Sequence, residues 1–189
     1  MFDRPVLGID PGLSRCGYGA VRARGGSTTA VVYGVIRTSP GEELAARLAV
    51  LEAELERLVH EVRPAAVAVE RVLFQTNVRT AMSVGQASGL ALAVAARAGV
   101  PVVHYSPNEV KLAVTGYGAA DKSQVQHMVA RLLGLAEPPR PPDVADALAL
   151  ALCHTWGAPM RAAAGPSAGT PVGKLERAVA AALSKEKDR

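Results

Sequence analysis

Val6-Leu7-Gly8-Ile9-Asp10-Pro11-Gly12 decides how this chain is read. Four apolar or small residues run straight into an aspartate, and Pro11-Gly12 stops the strand they begin. A short apolar run closed by turn residues reads as a buried strand. The carboxylate at its end lies where the interior of a sheet meets solvent. A lone buried charge is costly there, so Asp10 requires a partner.

Outward from this strand, Cys16 to Val21 reads as a second strand, rich in glycine, and Thr28 to Ile36 as a third. The short connections, including Arg24-Gly25-Gly26-Ser27, predict an antiparallel meander. Ser39-Pro40-Gly41-Glu42 reads as a helix start, with Ser39 as N-cap, Pro40 at the first helical position and Glu42 closing a capping box. Leu44, Leu48, Leu51, Leu55, Leu58 and Val62 then form one apolar stripe, ended before Pro64. Ala65 to Val69 predicts a fourth strand, and it too runs into an acid, Glu70. Val78 to Ala98 is a helix rich in Ala and Gly, and Val102 to Tyr105 a fifth strand. Ser106-Pro107-Asn108-Glu109 opens a helix to about Val114, and Asp121 caps another to about Leu133. After a stiff Pro-rich linker, Asp143 opens the last core helix, to about Trp156. Gly17 and Gly19 read either as a phosphate-admitting stretch or as a place of close backbone approach. Trp156 reads as packing, and His127 as a structural histidine, since no second His or Cys is near it in sequence.

The 189 residues suffice for one domain with a substantial core. We assign residues 1–157 to that domain and 158–189 to a flexible linker followed by a charged C-terminal tail. No apolar run reaches the roughly 18 residues of a membrane span. The first residues lack the layout of a signal peptide. Cys16 and Cys153, far apart and in no metal-type spacing, read as reduced core thiols. Together these predict a cytoplasmic protein without a membrane. The chain carries 21 Lys and Arg against 17 Asp and Glu, a net +4. Six of the cations and three of the acids lie in 158–189, leaving 15 and 14 in the body. The overall basicity is therefore weak evidence for a nucleic-acid partner.

The acids carry more. Two strands end in carboxylates, and ligands of open α/β sheets gather at the carboxyl ends of strands. Asp143 and Asp146 share one face of the last helix at i and i+3. The element order β-β-β-α-β-α-β-α is that of ribonuclease-H-like folds, in which the C-terminal helix lies against the first strand. The predicted fold is thus α/β, ribonuclease-H-like, with a five-stranded mixed sheet flanked by helices. It gathers Asp10, Glu70, Asp143 and Asp146. Four carboxylates raise each other's pKa, and hard divalent cations with oxygen ligands relieve this. Two such ions, clamping the attacking water and the leaving oxygen of a phosphodiester, are the known chemical use. Read singly, Asp143 is also a helix N-cap, Asp10 a turn residue, and Glu70 a partner for Arg71 or Arg79.

Four blocks taken in order, Gly8-Ile-Asp-Pro-Gly12 with Gly17-Tyr-Gly19, Val69-Glu-Arg-Val72 with Asn77, Asp121 to Met128, and Asp143 to Ala149, resemble the RuvC-type Holliday-junction resolvases. The resemblance covers about residues 5–157. It implies a homodimer that resolves four-way DNA junctions in recombination and repair by paired nicks dependent on Mg²⁺ or Mn²⁺. It also implies work beside the RuvA–RuvB branch-migration complex. The family's catalytic, metal-binding acids fall on Asp10, Glu70, Asp143 and Asp146, and its DNA-contacting lysines on Lys111 and Lys122. Where the family often carries a stacking Phe, this chain has Leu73, with Phe74 next to it. Arg71, Phe74, Asn77 and Arg79 form a polar, basic stretch with an aromatic inside it, which suits distorted or unpaired DNA. Three other readings stay open. One is a nuclease of the same fold acting on structured RNA, and another a non-catalytic junction-binding protein. The third is a phosphotransferase of the actin and sugar-kinase type, for which the chain lacks a second phosphate loop.

Overall fold

A computed structural model describes residues 4–71 and 78–164, with side chains at 4–71 and 81–157. Contacts divide the chain into Met1–Gly157 and Ala158–Arg189. The first unit is built on a sheet of order β3-β2-β1-β4-β5. Its strands are β1 (Val6–Asp10), β2 (Arg15–Arg24), β3 (Ser27–Arg37), β4 (Ala66–Glu70) and β5 (Val102–Tyr105). β1, β2 and β3 pair antiparallel, as the short connections require, whereas β4 lies parallel to both β1 and β5. The parallel pairs need crossovers, and these are helical. α1 (Leu44–Val62) joins β3 to β4, and α2 (Val78–Arg97) precedes β5. α3 (Pro107–Thr115), α4 (Lys122–Leu133) and α5 (Pro142–Ala164) follow.

The period-2 alternation of a strand divides the core into two layers. Leu7, Ile9, Cys16, Val67 and Val69 pack with Leu51, Leu55 and Leu58 of α1 and Ala87, Ala91 and Val94 of α2. Val6, Val21, Ala68 and Tyr105 face the other way, onto Val110 of α3, Val125 and Val129 of α4, and Val144, Leu148 and Leu152 of α5. Leu51, Leu55 and Leu58 of the α1 stripe are buried as the spacing predicts, Leu48 and Val62 are partly buried, and Leu44 in the first turn stays exposed. Each fully buried leucine contributes roughly 1.5–3 kcal/mol.

Two expectations change. Ser39-Pro40-Gly41-Glu42 is a turn closed by the Glu42 N–H donating to the Ser39 carbonyl at 3.2 Å, and α1 begins at Leu44 after Glu43, without a side-chain cap. Proline at the second position of a turn is as favourable as proline at the first helical position, and the turn wins. The last helix continues to Ala164 rather than ending near Trp156, so the segment expected to open the linker is helical there. Ala162, Ala163 and Ala164 are strong helix formers. The caps of α3 and α4 form as predicted. Ser106 and Glu109 close one capping box, and Asp121 and Gln124 the other. No helix among the described residues is long and apolar enough to cross a membrane.

Candidate active site

Asp10 and Glu70 are the last residues of β1 and β4. The parallel register Ile9↔Val69 sets them side by side at the C-terminal edge of the sheet. The third element arrives through glycine. Asp10 stands opposite Gly17 across the β1–β2 ladder. A Cβ on Gly17 would lie 2.1 Å from the Asp143 carbonyl oxygen, and one on Gly8 would lie 1.9 Å from that of Ala147. The missing side chains let α5 rest directly on β1 and β2. This settles the reading of Gly17 as a place of close approach, and the packing brings the N-terminal end of α5, with Asp143 in its first turn and Asp146 just beyond it, beside Asp10.

The loop after Asp10 is latched from two sides. Thr38 Oγ1 donates to the Leu13 carbonyl at 2.6 Å. Arg47 of α1 donates to Ser14 Oγ at 2.7 Å and to Thr38 Oγ1 at 3.0 Å.

A cleft of about 340 Å³ opens at this edge, lined among others by Asp10, Glu70, Asp146, Lys111 and Lys122. Lys122, the first residue of α4, donates from Nζ to Asp146 Oδ2 at 3.2 Å. Asp143 lies beside Arg15, with Nε 3.5 Å from Oδ2. That is an ion pair without hydrogen-bond geometry, and Oδ2 is a buried oxygen with no hydrogen-bond partner. Arg15 was not singled out in the sequence. It shares a strand face with Gly17, two residues on, and that alternation was the available signal.

The electrostatics are those of crowded acids. Burial, then the charges of Asp146, Glu70 and Asp143, push the Asp10 carboxyl up to about 7, against a smaller opposing pull from Lys122. Glu70 is raised by burial and by Asp146. Asp146 is raised because burial outweighs its ion pair with Lys122, and Lys122 is itself raised, chiefly by Asp146. Cys16, fully buried behind this edge, has its thiol pushed up to about 12, mainly by burial.

No group of three or more His, Cys, Asp or Glu among the described residues is gathered tightly enough to hold an ion. The donor set nevertheless fits a hard divalent cation. It is all carboxylate, its members destabilise one another's charge, and Asp143 Oδ2 is buried without a donor. The carboxylates stand near enough to repel but are not closed into a shell, and lysine supplies the present counter-charge.

Of the remaining expected residues, Lys111 lines the cleft, and Arg71 is exposed at its edge, with its backbone N–H donating to the Tyr105 carbonyl at 2.7 Å. Phe74 and Asn77 lie outside the described residues, as does the side chain of Arg79. His127 is exposed on α4, and its Nδ1 lies 2.8 Å from the Ser123 carbonyl.

The family model for crossover junction endodeoxyribonuclease RuvC matches residues 6–154. A crossover junction endodeoxyribonuclease RuvC of Salinispora arenicola is 59% identical over 152 residues, covering 80% of this chain and 87% of that protein. The protein of the same name from Moorella thermoacetica is 53% identical, covering 82% and 93%. Among solved structures, Thermus thermophilus RuvC in complex with a Holliday junction substrate is 42% identical, with a TM-score of 0.79, covering 83% of this chain and 96% of that one.

Proposed function

This chain belongs to the crossover junction endodeoxyribonuclease RuvC family, and from that premise we propose that it resolves four-way DNA junctions by hydrolysing phosphodiesters at the Asp10 edge of the sheet. The observation that carries this reading is the convergence of Asp10, Glu70 and Asp146 with Lys111 and Lys122 in one cleft, with Asp143 beside it.

We assign Asp10, Glu70, Asp143 and Asp146 as the residues that hold Mg²⁺ or Mn²⁺, two ions per site. When bound, such ions supply the Lewis acidity and charge neutralisation that phosphodiester hydrolysis needs. The protein's own part is positional and electrostatic. The ends of β1 and β4 fix two carboxylates on rigid strands, and α5 brings two more on one helical face. Lys122 holds Asp146 in the cleft through its 3.2 Å contact. Lys111, which forms no ion pair with a described residue, and the exposed Arg15 offer positive charge to the phosphates on either side of the acids. Arg71, Phe74, Asn77 and Arg79 extend the DNA contact along the chain that follows Glu70.

A two-fold dimer acting beside the RuvA–RuvB complex matches a substrate of near two-fold symmetry and supplies two sites for paired nicks. Cytoplasmic DNA is the corresponding compartment.

The test is a synthetic four-way junction incubated with Mg²⁺ and either wild-type protein or Asp10→Asn. We expect paired nicks from wild type and a loss of more than roughly a hundred-fold in the variant, beyond what loss of a contact outside the ligand sphere costs. Equal cutting by the two proteins refutes the assignment. Binding without cleavage in both Mg²⁺ and Mn²⁺ indicates a binding protein instead.

A further inference from the structure

A second cleft lies on the other side of α4 from the carboxylates. Its volume is about 320 Å³, and Tyr117, Met128, Gln124, His127 and Arg131 are among its lining residues. We infer that it is a subsite for an unstacked nucleobase of the bound DNA, with Tyr117 as the stacking platform. This rests on the reading of DNA as substrate and adds to it a place and a residue.

Tyr117 is 62% exposed, so its ring is open to a ligand. Its backbone is nevertheless held firmly. α3 ends at Gly116, whose positive φ of 74° reverses the chain. The Tyr117 N–H donates to Thr115 Oγ1 at 3.1 Å, and its carbonyl accepts from the Ala120 N–H at 3.1 Å. Both backbone groups of the tyrosine are thus occupied by the turn itself. An aromatic ring displayed on a pinned turn is pre-organised, so little ordering cost remains when a ligand stacks on it.

The rest of the lining complements a base edge. Met128 supplies a polarisable apolar wall. Gln124 spends its Oε1 on the Asp121 N–H of the capping box, leaving its amide as a donor. His127 turns Nδ1 to Ser123, 2.8 Å from its carbonyl, so Nε2 is the ring nitrogen left for a ligand. Arg131 forms no ion pair with any described residue and adds donors and charge. The volume is at the low end of the range for small-molecule sites, which suits one nucleotide better than a peptide helix.

Position favours DNA as the occupant. The first cleft holds Lys111 of α3 and Lys122 of α4, and the second begins at Thr115 and Gln124 of the same two helices. One helix width, on the order of 10 Å, separates them. A strand whose phosphates engage Lys111 and Lys122 passes the Tyr117 turn.

The experiment uses four-way junctions carrying a single abasic nucleotide, placed in turn at each position near the crossover, and measures Kd without metal and cleavage with Mg²⁺. Wild type, Tyr117→Ala and Tyr117→Phe are compared, with Tyr33→Ala, an exposed tyrosine on the β3 edge, as the control. Tyr117→Ala is expected to weaken junction binding roughly ten-fold, the scale of one base–aromatic stack, with an unchanged Tm. Tyr117→Phe should recover most of that affinity, and Tyr33→Ala should match wild type. One abasic position should weaken wild type by a similar factor and leave Tyr117→Ala no weaker than before. Equal binding by Tyr117→Ala and wild type overturns the subsite, as does a loss that no abasic position reproduces, which indicates that the ring acts on something other than a base of the junction. Wild-type nicking of the intact junction is read in the same assay, so failure of the endonuclease reading is seen separately.

Discussion

At the residue scale, Asp10 is the group whose ionisation the fold resists. Its carboxyl sits at about 7 in the folded chain against 3.8 as an isolated side chain. The folded protein therefore binds this proton more tightly than the unfolded chain does. Its contribution to stability is fully present below pH 3.8 and is lost as pH rises through about 7. Glu70 and Asp146 are shifted in the same direction. In chelator, wild type should accordingly melt higher at pH 5 than at pH 8, and Asp10→Asn should flatten that difference while stabilising the protein at pH 8. At this chain length each kcal/mol appears as roughly 2–4 °C in Tm. Mg²⁺ should stabilise wild type more at pH 8 than at pH 5, because ligand carboxylates bind metal in their deprotonated form. A Tm difference between the two pH values that is the same in wild type and Asp10→Asn would remove Asp10 as its cause.

At the scale of elements, the placement of α5 on glycines makes the site a property of helix packing as much as of side chains. Gly17→Ala places a methyl against the backbone of Asp143 itself, where nothing flexible can yield. We expect a cost of about 1–3 kcal/mol, typical of overpacking, and a fall in the nicking rate larger than any loss of junction affinity. Gly41→Ala, whose added carbon meets only Ser39 Oγ at 3.9 Å, should stay within about 0.5 kcal/mol. Calorimetry with single-turnover cleavage checks both, and a Gly17→Ala protein that cuts at the wild-type rate would show that α5 has room to move. Asp10, Glu70 and Asp143 were legible in the sequence because each marks an element boundary, two strand ends and a helix start, and Asp146 because it follows Asp143 at helical spacing. The contact between Gly17 and Asp143 was not, since it joins residues far apart in the chain and depends on how two elements pack. Ser39-Pro40-Gly41-Glu42 misled for a local reason: the same four residues satisfy a capping box and a turn, and only the Glu42–Ser39 bond decides between them. Tyr117 carries no local sequence signal, because its significance lies in being exposed on a pinned turn, and exposure is not written in local sequence.

At the scale of the whole molecule, the strand order follows from the pattern of connections. Short links gave the antiparallel half of the sheet, and helical crossovers gave the parallel half. The symmetry of the substrate sets the remaining expectation. Sedimentation at cleaving concentrations should give twice the 19.5 kDa mass of the chain, and a strict monomer that still produces paired nicks would exclude the dimer.

Cys16 and Cys153 are both buried, and the thiolate rather than the thiol is the form that alkylating reagents attack. The folded chain consequently presents a silent background to maleimide chemistry. A single cysteine introduced on an exposed position would carry a fluorophore alone, and the opening of a junction could be followed by energy transfer without first stripping the native thiols.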